Sequence, residues 1–135
     1  MSTDSIELVV TDGYFDGQRH FGQGPYTIAL KDGRIDAVCP GAVADGSAAT
    51  VRRAAYVLPG LVEAHSHLFL DGGELDADKR SAHLRAPLPA LLDAGRASLQ
   101  QSLAAGVTLV RDAGDIHGVN LALREEARTN TRASA

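Results

Sequence analysis

Short apolar segments separated by turn residues fill the first half of the chain. Ile6–Thr11 is apolar and β-branched, and the segments Tyr26–Lys31 and Arg34–Cys39 flank the dipeptide Asp32-Gly33. Asp-Gly tolerates the positive φ that both central residues of a type I′ turn require, so these two segments are predicted to form a β-hairpin. A further short strand is predicted at 56–58, before a Pro-Gly break.

Strand and helix patterns alternate in the second half of the chain. Leu61–Leu68 directly follows the Pro-Gly break and is predicted to be a strand. The segment 89–105 carries leucines on one helical face, and Gly106 is placed to end that helix. A strand at 107–112 and a helix at 118–128 follow. This order is typical of βα units on a parallel sheet.

Residue composition divides the chain at the same point as the patterns. All six aromatic residues lie before position 70, and the remainder is rich in Ala, Leu and Arg. We therefore predict a β-rich segment over 1–58 and a helix-containing segment over 59–135. With 135 residues and 44% hydrophobic positions, the chain has the composition of an ordinary globular domain.

Net charge and cysteine content exclude several classes of protein. A formal net charge of −4 gives no electrostatic footprint for nucleic acid or for an anionic membrane. Cys39 is the single cysteine, so a disulfide scaffold is excluded. No apolar run approaches the roughly 18 residues of a membrane span, and the first residues do not resemble a signal peptide. We expect a cytoplasmic protein without nucleic-acid or membrane partners.

A pair of histidines carries the strongest chemical indication. His65 and His67 stand at i and i+2 on a predicted strand, so both imidazoles are expected on one face. Two neutral imidazoles at that spacing can bind one divalent ion. A His-x-His pair can also arise by chance. This pair, however, ends an apolar strand and precedes a glycine-rich acidic loop, which is where parallel-barrel enzymes carry their catalytic residues. Both interpretations stay open on the residues alone.

Two segments resemble the amidohydrolase superfamily. Pro59–His67 resembles its Pro-Gly-aliphatic-aliphatic-Asp-x-His-x-His segment, and Gly106–Asp112 resembles the Gly-Val-Thr-Thr-Val-Arg-Asp segment of the imidazolonepropionase-like and prolidase-like branches. The opening strands around Asp32-Gly33 resemble the small β-sandwich segment that precedes the barrel in these enzymes. Glu63 departs from the pattern, because the family usually has Asp there.

The resemblance implies an α/β fold: an N-terminal β-sandwich segment and then the first two βα units of a TIM-type (β/α)8 barrel. It also implies metal-dependent hydrolysis of a carbon-nitrogen bond in a small-molecule substrate. His65 and His67 would be ligands of a divalent metal, most often zinc, that activates water. Arg111, Asp112 and Asp115 would lie at the substrate rim beside the second strand, where structural ion pairing is an equally good interpretation.

A complete barrel of this type needs more chain than this sequence supplies. Such a barrel takes about 250 residues, and roughly 75 follow position 60. The remaining metal ligands and the general base would lie on strands that are not in this sequence. Three alternatives follow: one piece of a split enzyme that acts with a complementary chain or as a homo-oligomer, a truncated inactive product, or a small interaction domain derived from an amidohydrolase.

Overall fold

The strands of the N-terminal half form one sheet around its longest strand. The structure, a computed structural model, describes residues 6–43, 50–115 and 117–133, and the chain divides into two compact units, Met1–Pro59 and Gly60–Ala135. The first unit contains β1 (Glu7–Phe15), β2 (His20–Phe21), β3 (Tyr26–Lys31), β4 (Arg34–Pro40) and β5 (Thr50–Val57). The strand order is β2–β1–β3–β4 with antiparallel pairing, and β5 pairs with β1 in parallel.

The tight turn between β3 and β4 confirms the predicted hairpin. Lys31 pairs with Arg34, which leaves a two-residue loop. Asp32 and Gly33 both have positive φ, 51° and 70°, as a type I′ turn requires. Glycine costs nothing in this conformation, and aspartate is among the few other residues that tolerate it.

Strand β5 differs from its prediction. We expected a short strand at 56–58, whereas β5 spans eight residues, Thr50–Val57. Most of its residues are exposed and it includes the pair Arg52-Arg53, so it has no apolar alternation. The strand forms because its backbone pairs with β1, some 40 residues earlier in sequence, and Arg52 forms an ion pair with Glu7 on that strand.

The predicted β-sandwich segment is a single layer here. The described residues of the first unit form one sheet, and a sandwich requires two sheets whose inner faces bury each other. The buried apolar side chains of this sheet are few: Leu8, Val10 and Ile28.

The second unit contains a parallel pair of strands with helices. Its elements are β6 (Leu61–Ser66), α1 (Ala77–Leu84), α2 (Leu88–Ala104), β7 (Val107–Asp112) and α3 (Val119–Ala133). β6 and β7 are adjacent and parallel, which confirms the pairing predicted for these two segments. Gly60 precedes β6 where a Cβ would stand 2.7 Å from the Cβ of Thr108, so the Pro-Gly break is also a close approach to β7.

The core of the second unit lies on one side of the strand pair. Leu91 on α2 and Val119 and Leu123 on α3 are fully buried and cluster with Leu68 and Phe69 from the segment after β6. Apolar side chains of the two strands themselves remain exposed: Val62 on β6 is 62% accessible and Leu109 on β7 is 60% accessible. Among the described residues, no helix is long and apolar enough to cross a membrane.

Candidate functional site

The two predicted ligand histidines lie side by side at the end of β6. The ring centroids of His65 and His67 are 5.5 Å apart, with the ring planes at 81°. Both side chains are exposed. Two imidazoles that bind one tetrahedral ion at ordinary zinc–nitrogen distances place their ring centroids about 5 Å apart. The spacing of this pair therefore fits two ligands of one ion.

A hydrogen bond determines the tautomer of His67. Its Nδ1 lies 2.9 Å from the carbonyl oxygen of Gly114. A carbonyl oxygen only accepts hydrogen bonds, so Nδ1 carries the proton and donates. In the neutral ring the lone pair is then on Nε2, the atom that remains available for a metal. Histidine ligands in metalloproteins are commonly held in this way by a backbone carbonyl.

The backbone before His65 is irregular, and side chains satisfy its polar groups. The register of β6 against β7 shifts between Glu63 and Ser66, as in a β-bulge. The Glu63 carboxylate accepts a hydrogen bond from the His65 N–H at 2.8 Å, and Arg111 Nη1 donates to the Ala64 carbonyl oxygen at 3.2 Å. Two groups that regular pairing would satisfy are thus satisfied by these side chains.

Asp112, at the end of β7, uses both carboxylate oxygens on backbone groups. Its Oδ2 accepts from the N–H of Leu68 at 3.0 Å, and its Oδ1 accepts from the N–H of Gly114 at 2.8 Å. Leu68 directly follows His67 in sequence, and Gly114 is the residue whose carbonyl holds the His67 ring. The carboxylate therefore links the segment after β7 to the segment after β6.

Asp115 is the third residue predicted at the substrate rim, and its carboxylate caps α3. It accepts hydrogen bonds from the N–H groups of His117, Val119 and Asn120 at 2.6, 3.0 and 2.9 Å. Partial burial raises the pKa of Asp115, but the hydrogen bonds from Asn120, His117 and Val119 outweigh it and hold the pKa below its ordinary value. From four positions before Val119, the carboxylate satisfies free N–H groups at the start of α3, as a capping side chain does.

The other histidines make their described contacts away from this pair. His83 is half-buried, and its Nε2 donates to the Phe69 carbonyl oxygen at 2.5 Å. His20 stacks on Tyr56 in the first unit. Within the part of the chain that the structure describes, no three His, Cys, Asp or Glu side chains are grouped closely enough to hold a metal.

Two contributors to the site were absent from the sequence prediction. Gly114 acts through its carbonyl, and a backbone acceptor leaves no signal in the residue type beyond a glycine after the strand. Its φ of +116° is the reason for glycine there. Glu63 was noted as a departure from the family pattern, but its contact with the His65 backbone depends on the bulge.

Solved structures share this fold over almost the whole chain. A Xaa-Pro dipeptidase superimposes with a TM-score of 0.75 at 18% identity, covering 94% of this chain and 31% of its own. Molinate hydrolase gives 0.69 at 22% identity, covering 95% and 28%. A protein described as an amidohydrolase gives 0.63 at 22% identity, covering 88% and 29%. This chain has the fold of an N-terminal portion of the amidohydrolases.

The amidohydrolase resemblance found in the sequence is thereby confirmed at the level of the fold. The chain spans less than a third of the length of the enzymes it matches. No protein-family model matches the sequence, and no curated protein matches it significantly.

Proposed function

We propose that this chain is the N-terminal portion of a metal-dependent amidohydrolase. His65 and His67 are two ligands of a divalent metal, with zinc as the first candidate. The observation that carries this proposal is the His67 ring, whose Nδ1–H donates to the Gly114 carbonyl and leaves Nε2 available beside the His65 ring. A nitrogen pair of this kind suits zinc and other borderline divalent metals.

The proposed barrel begins with β6 and β7. A groove of about 1000 Å³ is lined by β7, including its neighbours Leu109 and Val110, by Leu99 and Leu103 of α2, and by Leu123 of α3. Because neighbouring strand residues point to opposite faces, a groove that both of them line follows the edge of the strand. Parallel sheets are normally covered on both faces, and a bare strand edge invites a further strand. We propose that the next βα unit of the barrel packs here.

The chemistry proposed for the complete site is hydrolysis of a carbon-nitrogen bond in a small-molecule substrate. A bound divalent metal would lower the pKa of its water and polarise the scissile bond. Of the three rim candidates, we propose that Arg111 contacts the substrate. Its described hydrogen bond is donated by Nη1 to the Ala64 carbonyl oxygen, which leaves the other N–H groups of the guanidinium for a substrate. Asp112 and Asp115 hold backbone N–H groups with both carboxylate oxygens.

Zinc titration by calorimetry tests the metal site on the full 135-residue chain. The wild type should bind one zinc ion more weakly than a four-ligand structural site, because this chain supplies two ligands. His65→Ala should abolish the binding. His117→Ala is the matched control and should titrate like the wild type, because its exposed side chain belongs to no described contact of the site. Indistinguishable titrations for wild type and His65→Ala would contradict the proposal.

A turnover assay distinguishes an incomplete portion of an enzyme from a chain that is active on its own. The zinc-loaded chain alone should hydrolyse no amide or dipeptide substrate, because the general base and the other ligands lie outside it. Adding a polypeptide with the remaining strands of a related barrel should restore activity only if the two form one site. Zinc binding without such restoration would favour the alternative of a non-catalytic domain derived from an amidohydrolase.

A further inference from the structure

Three hydrogen bonds and the peptide bond between His67 and Leu68 form a closed ring that links His67 to Gly114 and Asp112. His67 Nδ1 donates to the Gly114 carbonyl at 2.9 Å, and the Gly114 N–H donates to Asp112 Oδ1 at 2.8 Å. Asp112 Oδ2 accepts from the Leu68 N–H at 3.0 Å, and Leu68 is joined to His67 by a peptide bond. One carboxylate thus holds both the residue after the imidazole and the residue whose carbonyl orients it.

We infer that Asp112 is a positioning residue for His67, an inference that rests on the proposed metal site. The carboxylate does not touch the imidazole. It holds the Gly114 peptide so that its carbonyl faces Nδ1, and it holds the Leu68 peptide so that the His67 backbone cannot rotate away. Hydrogen bonds from N–H groups to a charged carboxylate are stronger than those to a neutral oxygen, which suits this role.

The backbone of Gly114 supports the same inference. Its φ of +116° lies where residues with a Cβ are strained, although a Cβ placed there would meet no atom within 4 Å. The requirement for glycine is therefore conformational and not steric. That conformation turns the carbonyl of Gly114 toward His67 while its N–H donates to Asp112.

The inference is tested with Asp112→Ala on the full chain and with two readouts. The first is zinc affinity by calorimetry, which should fall about 10- to 100-fold, the range for loss of a partner that orients a metal ligand. The second is the tautomer of His67 in the metal-free chain, read from two-bond ¹H–¹⁵N imidazole spectra. The wild type should show the Nδ1–H form, and the variant should show a mixture of both forms.

Asp76→Ala is the matched control. Asp76 also accepts two backbone N–H groups with its carboxylate, those of Asp78 and Lys79 at the start of α1, and it has no described contact with His67. It should lower thermal stability while leaving zinc affinity and the His67 spectrum unchanged. A purely structural role for Asp112 would move stability in both variants and the His67 spectrum in neither.

Two further variants keep the test decisive. If Asp112→Ala does not fold, Asp112→Asn takes its place, because its amide retains one acceptor oxygen for the two N–H groups; its zinc affinity should also fall. Gly114→Ala should change the His67 tautomer in the same direction. A wild-type His67 spectrum in the folded Asp112 variant would overturn the inference. Absence of zinc binding in the wild type would instead refute the proposed function, with the tautomer still deciding the role of Asp112.

Discussion

Gly95 on α2 lies directly against Leu123 on α3. A Cβ built on Gly95 would stand 2.5 Å from Leu123 Cδ1 and 3.5 Å from Val119 Cγ1. Both partners are fully buried. The two helices therefore approach each other at a position where an added methyl group would overlap the Leu123 side chain, which would have to move.

Gly95→Ala should consequently destabilise the chain even though alanine is the better helix former. Propensity favours alanine by about 1 kcal/mol, whereas overpacking a core costs about 1–3 kcal/mol. We expect a net loss in the free energy of unfolding of about 1 kcal/mol, measured by urea titration. Gln100→Ala, at an exposed position of the same helix, is the control and should be neutral or slightly stabilising. A more stable Gly95→Ala chain would show that the helices separate easily.

Local sequence patterns were sufficient for the parts of the fold that depend on neighbouring residues. The Asp32-Gly33 turn and the helix around Leu91 follow from turn chemistry and apolar periodicity over a few residues. β5 could not be predicted at its full length, because an exposed strand containing Arg52 and Arg53 is defined by its pairing with β1 and not by its own pattern.

The candidate site also divides into features that neighbouring residues determine and features that distant contacts determine. Spacing predicted that His65 and His67 would lie together, because residues at i and i+2 of an extended segment project to one side, and their ring centroids are 5.5 Å apart. The roles of Asp112 and Gly114 depend on where the end of β7 meets the end of β6, a contact between residues more than 40 positions apart. Residue type indicated chemistry near the site for Asp112, but its partners are backbone groups that no sequence pattern identifies.

The cap on α3 predicts a pH dependence. The pKa of Asp115 is held below its ordinary value, so its stabilisation is complete above that value and is lost as the pH falls through the lowered pKa. Asp115→Asn keeps part of the cap but does not titrate. Thermal melts should show wild type more stable than Asp115→Asn at pH 7, with the difference vanishing in acid. A difference that is constant down to pH 2 would exclude the Asp115 carboxylate as the source.

An ion pair links α2 to α3 at the surface. Arg96 donates from Nε and Nη2 to the two oxygens of Glu126 at 2.9 and 2.7 Å, and the hydrogen bond from Arg96 holds the pKa of Glu126 below its usual range. Both side chains are more than 40% exposed, so salt should screen the pair. Glu126→Gln should lower the melting temperature slightly in dilute buffer and not at 1 M NaCl. Glu125→Gln, one position away and exposed, is the control; an equal effect from it would indicate net charge instead.

The exposed apolar face of the strand pair predicts self-association of the isolated chain. Val62 and Leu109 are about 60% accessible, and parallel strands are seldom left bare on a face. The wild-type chain should therefore sediment as a concentration-dependent oligomer. Leu109→Lys should shift it toward the monomer with little change in melting temperature, because this side chain buries little surface within the chain. Leu121→Lys is the matched control, since Leu121 is 57% accessible but lies on α3. A monomeric wild type at high concentration, or an equal effect of both substitutions, would contradict association through this face.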